Sequence, residues 1–120
     1  SQAYWSIGIK EDEMKKAALN SALVIGAFSE EGRQIAYGRV ISDKTRFAYL
    51  TDFYVDEEFR HKGICRKMVE LVLAHPDLAD VYQWLLVTGD AHGLYEKCGF
   101  KVISRPKDLM EIRGPRPKDR

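Results

Sequence analysis

The stretch from residue 47 to residue 75, FAYLTDFYVDEEFRHKGICRKMVELVLAH, decides the fold of this chain. Its opening part, Phe47–Val55, is aromatic, β-branched or apolar at nearly every position, which is typical of a strand. Its closing part, residues 63–75, is predicted to be an amphipathic helix. The apolar residues that mark this helix recur at helical spacing, at Ile64, Met68, Leu71 and Val72. A strand that leads through a short charged loop into a helix indicates an α/β domain.

The sequence on either side of this stretch predicts further elements. They are a helix at 11–22, strands at 23–29, 34–42 and 81–87, a helix at 91–98 and a last strand that begins at 100–103. Turn residues at 30–32 and 43–45 predict antiparallel hairpins, whereas the strand–helix–strand order over 47–87 predicts a parallel pair with a right-handed crossover. The sheet should therefore be mixed, mostly antiparallel, and flanked by helices.

Length, charge and cysteine content narrow the class of protein. The chain has 120 residues, which suits one domain over residues 1–120, and 19 basic against 18 acidic residues, a net charge of +1. A nucleic-acid-binding domain is usually far more basic, and no apolar run reaches the roughly 18 residues that cross a bilayer. Cys65 and Cys98 form neither a disulfide framework nor a zinc module. We expect a cytoplasmic protein that binds neither nucleic acid nor membrane, with a partly mobile tail at 107–120.

The loop between the strand and the helix is the segment that carries chemistry. It is basic at Arg60, Lys62 and Arg66, and Gly63 stands where the helix starts. Unpaired N–H groups at a helix N-terminus, together with the helix dipole, bind phosphate groups, and glycine lets the backbone approach a ligand closely. The spacing matches neither GxxxxGK[ST] nor GxGxxG. From the residues alone, a cradle for a phosphate-bearing ligand and an ordinary loop with solvated charges both stay open.

Two motifs make the sequence resemble the GNAT family of N-acetyltransferases. The six positions of the family's RxxGxG/A signature are filled in this chain by Arg60, His61, Lys62, Gly63, Ile64 and Cys65. Downstream, residues 91–100, AHGLYEKCGF, resemble the family's AxxLYxxxGF segment. The motifs occur in the family's order and at similar spacing. The resemblance covers residues 22–105 and extends to a group of small bacterial GNAT proteins.

The resemblance implies a fold, a co-substrate and a set of roles. It implies a GNAT fold in which the strand ending at Val55 splays from the strand at 81–87, with acetyl-CoA in the gap and no metal. The backbone of Phe53 and Val55 would pair with the pantetheine arm, and the amides from His61 to Arg66 would hold the pyrophosphate. Tyr95 would protonate the leaving thiolate after direct attack by a neutral amine. We expect the family's first strand and helix to be absent from this chain.

Three positions depart from the family pattern. Cys65 replaces a glycine or alanine, and a thiol at a helix N-terminus can have a lowered pKa. Its role is either structural, or else redox or acyl-carrying. His61 replaces a glycine and either contacts phosphate or faces solvent. Thr88 replaces an asparagine that bonds the cofactor, and its hydroxyl can supply part of that bonding. If the motif were not there, Tyr95 would be interpreted as a half-buried core residue.

Asp52 is the candidate for the base that deprotonates the acceptor amine, or for a group that binds this amine. Strand alternation places Leu50, Asp52 and Tyr54 on one face, and a lone Asp inside an apolar strand is unusual unless it is paired or functional. The alternative is a salt bridge between Asp52 and Arg39 or Lys44.

These observations favour an acetyl-CoA-dependent N-acetyltransferase that acts on a small-molecule amine, with Tyr4 and Trp5 lining the acceptor pocket. Two alternatives stay open. One is acetylation of a protein or peptide amine, and the other is an acyl-CoA-binding module without turnover. An unpaired edge strand would also permit a homodimer.

Overall fold

The structure is a computed structural model and describes residues 11–116. In chain order, its helices and strands are α1 (Glu11–Leu19), β1 (Leu23–Phe28), β2 (Gln34–Ser42), β3 (Phe47–Val55), α2 (Ile64–Leu73), β4 (Gln83–Leu86) and α3 (His92–Glu96). Short 3-10 turns lie at Glu57–Phe59, Pro76–Leu78 and Pro106–Asp108.

The four strands form one sheet in the order β1-β2-β3-β4. β1 and β2 are antiparallel, as are β2 and β3, whereas β3 and β4 are parallel. The mixed, mostly antiparallel sheet and the parallel pair predicted from the strand–helix–strand order are therefore confirmed.

Helix α2 covers one face of the sheet. It contacts β1, β2 and β3, and its Met68, Val69 and Val72 are buried. Alternation along the strands sends every second side chain under this helix, and burial of a Val or Leu contributes about 1.5–3 kcal/mol. This packing fixes the start of α2 against the sheet. The main core cluster consists of Val40, Ala48, Leu50, Val69, Val72, Leu78 and Val81.

The pairing of β3 with β4 stops halfway along β3. Paired residues run from Phe47 and Gln83 to Leu50 and Leu86, where β4 ends. Residues 51–55 continue β3 for roughly 17 Å and pair only with β2 among the described residues. The predicted splay between these two strands is confirmed, and it leaves the outer edge of residues 51–55 open within residues 11–116.

The last predicted strand is wrong, because residues 100–103 have no regular structure. Phe100 turns inward, packs against the core and lies edge-on to the ring of Tyr95. A cavity of about 390 Å³ is lined by β4 and by residues 100–103. The other predicted elements are present with bounds shifted by up to three residues. Tyr4 and Trp5, and the end of the predicted tail at 117–120, lie outside the described residues.

Candidate active site

A β-bulge in β3 sets the geometry of the site. Tyr37 pairs with Tyr54 and Arg39 pairs with Thr51, so one more residue of β3 than of β2 lies between these pairs. Asp52 lies in the bulge with a φ of 58°, a left-handed conformation in which Asp and Asn are enriched among non-glycine residues. Bulges bend a strand and re-aim its side chains.

The bulge overturns the prediction that Leu50, Asp52 and Tyr54 share a face. Before the bulge Leu50 is buried in the core under α2, and after it Phe53 and Val55 pack against core residues on that same face. Because of the inserted residue, each side chain of β3 after the bulge lies on the sheet face opposite to the one that simple alternation predicts. Simple alternation from the sequence cannot anticipate this change.

Asp52 forms an ion pair with Arg39. Arg39 Nε donates to Asp52 Oδ2 over 2.6 Å, and the two side chains are only 19% and 15% exposed. Of the two salt bridges considered from the sequence, the structure contains the one with Arg39. Arg39 neighbours the buried Tyr37 along β2, and burial raises the pKa of Tyr37 while the guanidinium opposes the rise. The carboxylate is thus held on the sheet face away from α2.

The Phe53 ring packs closely against Gly38 of β2, because this glycine has no side chain. A Cβ built on Gly38 would come within 2.6 Å of Cε2 of the Phe53 ring. Sequence reasoning missed Gly38, although a glycine inside a strand often marks a bulge or a close approach.

The backbone of Phe53 and Val55 faces the open side of β3. Asp56 N–H donates to Ile35 O over 2.8 Å and thus points toward β2. Successive residues of a strand direct their backbone groups to opposite sides, so Val55 and Phe53 direct theirs toward the gap. Val55 O accepts a hydrogen bond of 2.9 Å from Arg60 Nε instead of one from β2.

Arg33 anchors the loop that follows β3. Its guanidinium bonds the buried Asp56 carboxylate over 3.1 Å and also contacts Glu58. It lies 5.5 Å from the centre of the Phe59 ring, and Lys62 Nζ lies at the same distance from that ring. Sequence reasoning also missed Arg33, which no motif marks.

The N-terminus of α2 is open to ligand. His61 and Gly63 both have left-handed backbones, with φ of 63° and 82°, and Gly63 is the N-cap without a side-chain cap bond. Lys67 N–H donates to Gly63 O over 3.0 Å, and the N–H groups of residues 64–66 have no hydrogen-bond acceptor among residues 11–116. A Cβ on Gly63 would meet nothing within 4 Å. Free donors and open space are what a phosphate group needs at such a turn.

Some of the positively charged side chains predicted at the phosphate site contact other groups of the protein. Besides bonding Val55 O, the Arg60 guanidinium lies 5.5 Å from the centre of the Tyr54 ring. Arg66 Nε lies 3.4 Å from Glu70 Oε2, and both side chains are about half exposed. His61 and Lys62 are exposed. An exposed ion pair such as the one between Arg66 and Glu70 contributes little to stability, so a ligand can easily displace it.

Cys65 and Tyr95 lie near each other at this end of α2. Cys65 is one of the groups near Tyr95 that raise the pKa of its hydroxyl, and both side chains pack against the main core cluster. Burial raises the pKa of Cys65, so the lowered pKa expected for a thiol at a helix N-terminus is wrong. Burial, followed by Cys65, Cys98 and Asp90, raises the pKa of Tyr95 to about 12. At neutral pH the Tyr95 hydroxyl therefore keeps its proton and can donate it.

Thr88 lies just beyond β4 and forms a hydrogen bond next to the start of α3. Its Oγ1 accepts a hydrogen bond of 2.9 Å from Ala91 N–H, which leaves the hydroxyl proton available to donate. Thr88 and Tyr95 both line the cavity beside β4, together with His92 and Glu96.

The structure thus brings most of the sequence-predicted residues to one end of the β3–β4 gap. The edge of Phe53 and Val55 forms one side, and the turn from Arg60 to Arg66 closes the end. Cys65 in this turn is one of the groups that raise the pKa of Tyr95. Asp52 is directed to the other sheet face with Arg39. Within the described residues no cluster of His, Cys, Asp or Glu is arranged to hold a metal ion, and no described helix is long and apolar enough to span a membrane.

Comparison with known proteins places this geometry in a family. A family model for the acetyltransferase (GNAT) domain matches residues 21–102. A search of curated proteins gave no match to this chain. Because the family model spans more than half of the sequence, the chain belongs to the GNAT acetyltransferases, and its open, splayed sheet is a GNAT fold.

Solved structures agree with this assignment. A protein from Xanthomonas campestris pv. campestris, described as belonging to the GNAT family, is 42% identical over 85% of this chain and 71% of its own, with a TM-score of 0.76. A GNAT-family protein from Streptococcus pneumoniae is 18% identical over 98% of this chain and 88% of its own, with the same TM-score. Glucosamine-6-phosphate N-acetyltransferase from Arabidopsis thaliana is 22% identical over 90% of this chain and 74% of its own, with a TM-score of 0.62. The last two show the shared fold alone.

Proposed function

We propose that this protein is an acetyl-CoA-dependent N-acetyltransferase that transfers the acetyl group to the primary amine of a small molecule by direct attack. One juxtaposition carries the proposal. The unpaired edge of β3 leads into the uncapped N-terminus of α2, and Tyr95 lies near Cys65 in the first turn of that helix. A strand edge can pair with the pantetheine arm, and an anion site can hold the pyrophosphate. A proton donor can stabilise the leaving thiolate.

The residues of the gap fit acetyl-CoA. The backbone of Phe53 and Val55 offers donors and acceptors for an added strand-like partner. The N–H groups of Ile64, Cys65 and Arg66 supply a phosphate site at the positive end of the helix dipole. Gly63 leaves open the space that a side chain would fill. Arg60, His61, Lys62 and Thr88 complete the proposed binding set.

The chemistry requires an acid, a base and an activated acetyl group, and bound acetyl-CoA supplies the last as a thioester. Tyr95 donates a hydrogen bond to the departing sulfur. A backbone N–H of β3 polarises the carbonyl oxygen. Asp52, held by Arg39, is the proposed base or amine-binding group, through water where the amine does not reach it directly.

Two further points belong to this proposal. Cys65 and Cys98 are both free thiols, which suits a reducing cytoplasm. An exposed edge strand suits a homodimer. On these grounds we propose a cytoplasmic location and a homodimer.

The decisive experiment is calorimetric titration of the purified protein with acetyl-CoA, with 3′-dephospho-CoA and ATP as comparison ligands. We expect saturable binding of acetyl-CoA. Gly63→Glu should abolish it, because a carboxylate would enter the phosphate site. Gly32→Glu is the matched control, since Gly32 also has a left-handed backbone, with φ of 87°, and open space around it.

Each outcome of the titration has a clear meaning. Equal acetyl-CoA affinity in the folded Gly63→Glu and Gly32→Glu proteins would contradict the cradle. Binding followed by thiol release with small amines would support the enzyme. Binding without thiol release from any amine, peptide amines included, would favour the non-catalytic acyl-CoA-binding module.

A further inference from the structure

The loop of residues 56–62, which we call the β3–α2 loop, joins two parts of the proposed acetyl-CoA site. It begins directly after the open edge of β3 and ends before Gly63, the N-cap of α2. The relative position of this edge and of the N–H groups of residues 64–66 depends on the shape of the loop. His61 has a left-handed backbone, with φ of 63°, a conformation that costs free energy at a non-glycine residue. The loop therefore needs support from the rest of the fold.

Arg33 lies outside this loop, directly before β2, and the turn between β1 and β2 holds its backbone. Its N–H donates to Ser29 Oγ over 3.2 Å, and its carbonyl accepts a hydrogen bond of 2.8 Å from Ser29 N–H. Gly32 N–H also donates to Ser29 O over 2.9 Å. The main chain of Arg33 is thus fixed to the sheet, and its side chain extends from a defined position.

The Arg33 guanidinium contacts the β3–α2 loop at three points. Nη1 bonds Asp56 Oδ2 over 3.1 Å, Nη2 bonds Glu58 Oε1, and the guanidinium carbon lies 5.5 Å from the centre of the Phe59 ring. The Arg33 side chain is half exposed, but that of Asp56 is only 8% exposed. Since a buried carboxylate needs a partner, the contact with Asp56 connects the start of the loop to the hairpin.

Phe59 extends this connection to the helix. Asp56 O accepts a hydrogen bond of 2.9 Å from Phe59 N–H, and the Phe59 ring packs against the core cluster that contains Val55 of β3 and Met68 of α2. The guanidinium of Arg33 lies over the same ring. Loss of the Arg33 contacts should therefore loosen the loop and leave the sheet and α2 in place.

We infer that Arg33 is a positioning residue for the proposed acetyl-CoA site, because it holds the β3–α2 loop in the shape that presents the β3 edge and the α2 N–H groups to one ligand. The inference rests on the proposed function, since the ligand is acetyl-CoA only if that function is correct. The contacts of Arg33 with the loop do not depend on it. If their loss leaves about one tenth of the molecules with a binding-competent loop, the apparent Kd rises about tenfold.

Amide hydrogen exchange of the ligand-free protein, measured by NMR, tests whether Arg33 fixes the loop. Arg33→Met keeps a long unbranched side chain and removes the guanidinium. We expect faster exchange at the N–H groups of Phe59 and Arg60, which form hydrogen bonds within the loop, and unchanged exchange in α2. Arg105→Met is the matched control, since Arg105 also forms an ion pair, with Asp108. Wild-type exchange at Phe59 and Arg60 in Arg33→Met would overturn the inference, whether or not the protein is an enzyme.

Calorimetric titration with acetyl-CoA separates positioning from simple charge attraction. Asp56→Asn removes a negative charge from the loop that leads to the proposed phosphate site, so charge alone predicts tighter binding of the anionic ligand. Positioning predicts the opposite, a Kd about tenfold higher in both Asp56→Asn and Arg33→Met. Arg33→Lys keeps the charge but lacks the planar fork of donors, so it should restore only part of the affinity. Arg105→Met should bind like the wild-type protein.

Two results of the titration would contradict the inference. Tighter binding in Asp56→Asn would assign the effect of this loop to its charge. Wild-type affinity in Arg33→Lys would show that a positive charge is sufficient at this position. If Asp56→Asn does not fold, the comparison of Arg33→Lys with Arg33→Met decides by itself.

Kinetics with an amine that the wild-type protein acetylates distinguish positioning from a purely structural role. Arg33→Met should raise the KM for acetyl-CoA by the same factor as the Kd and change kcat at saturation by less than about twofold, since Tyr95 lies outside the loop. A comparable fall in kcat, together with a lower Tm, would overturn the positioning role. Absence of acetyl-CoA binding in wild-type protein would instead contradict the proposed function, and the exchange experiment would still decide whether Arg33 fixes the loop.

Discussion

Tyr95 shows how burial shapes the chemistry available at a single residue. Burial raises its pKa to about 12, whereas an ordinary thiol has a pKa of about 8.5. Complete proton transfer from Tyr95 to a departing thiolate is therefore uphill. In the proposed reaction Tyr95 acts chiefly by donating a hydrogen bond to the sulfur as negative charge develops there.

Substitution of Tyr95 by Phe should separate catalysis from binding. Phe keeps the ring and its edge-on contact with Phe100, and it removes only the hydroxyl. We expect kcat to fall by about 10²-fold and acetyl-CoA affinity, measured by calorimetry, to stay nearly unchanged. Because the pKa of Tyr95 lies near 12, the wild-type rate should not decline through loss of this proton up to about pH 9. Equal turnover in Tyr95→Phe and wild type would remove the assigned role.

Asp52 can be tested without distorting the strand. Asn and Gly both accept the left-handed backbone at this position, and neither carries a carboxylate. If Asp52 is the base, Asp52→Asn and Asp52→Gly should both lower kcat/KM for the amine by about 10²-fold with unchanged affinity for acetyl-CoA. Full activity in both variants would contradict the assignment of Asp52 as the base.

The sequence proposes which residues form the candidate site, but it does not give their conformations. Gly63 and Tyr95 follow from short motifs, because backbone approach and a proton donor each demand a particular residue type. The ion pair of Asp52 with Arg39 was foreseen as one of two alternatives. The raised pKa of Cys65 was not foreseen, since it depends on burial by residues distant in the chain.

At the scale of elements, the bulge in β3 and the glycine opposite it act together. The bulge brings Phe53 to the α2 face, and Gly38 makes room for the ring there. Alternation along the strand predicts neither feature, because an inserted residue changes every later position. The long pattern of apolar residues in α2, by contrast, predicted the helix within two residues at each end.

Gly38→Ala should destabilise the protein through this contact. A Cβ there would meet the Phe53 ring at 2.6 Å, and the ring cannot withdraw without disturbing the core. We expect a loss of about 1–3 kcal/mol in the free energy of unfolding, as for other overpacked sites, measured by urea denaturation. Gly26→Ala is the control, because its Cβ would meet only the flexible amide end of Gln34 closely, at 3.0 Å. A similar loss in both variants would contradict the role of the Phe53 contact.

The prediction of a last strand at residues 100–103 was wrong because of how Phe100 packs. Residues 100–103 carry β-forming side chains, and a local pattern cannot tell whether Phe100 points along the sheet edge or into the core. In the structure it points into the core beside Tyr95. The parallel pairing of β3 and β4 was predictable, because a helical crossover of this length dictates it.

At the scale of the whole molecule, the gap between β3 and β4 is a place where the sheet lacks strand pairing. Among the described residues, residues 51–55 of β3 have no paired strand on one side, and the α2 N-terminus has N–H donors without acceptors. A ligand that satisfies both sets should bind the folded protein and not the unfolded chain. It would also connect β3, α2 and the segment that carries Tyr95, which otherwise meet mainly through the core.

Acetyl-CoA should therefore raise the thermal stability of the protein as well as bind to it. At a free concentration of about 100 times Kd the expected gain is about 2.7 kcal/mol, which corresponds to a rise in Tm of roughly 10 °C for a domain of this size. Differential scanning fluorimetry measures this shift directly. Gly32→Glu should show the same rise from its own starting Tm, whereas Gly63→Glu should show none. A rise of equal size in both glycine variants would mean that acetyl-CoA stabilises the fold from somewhere other than the turn before α2.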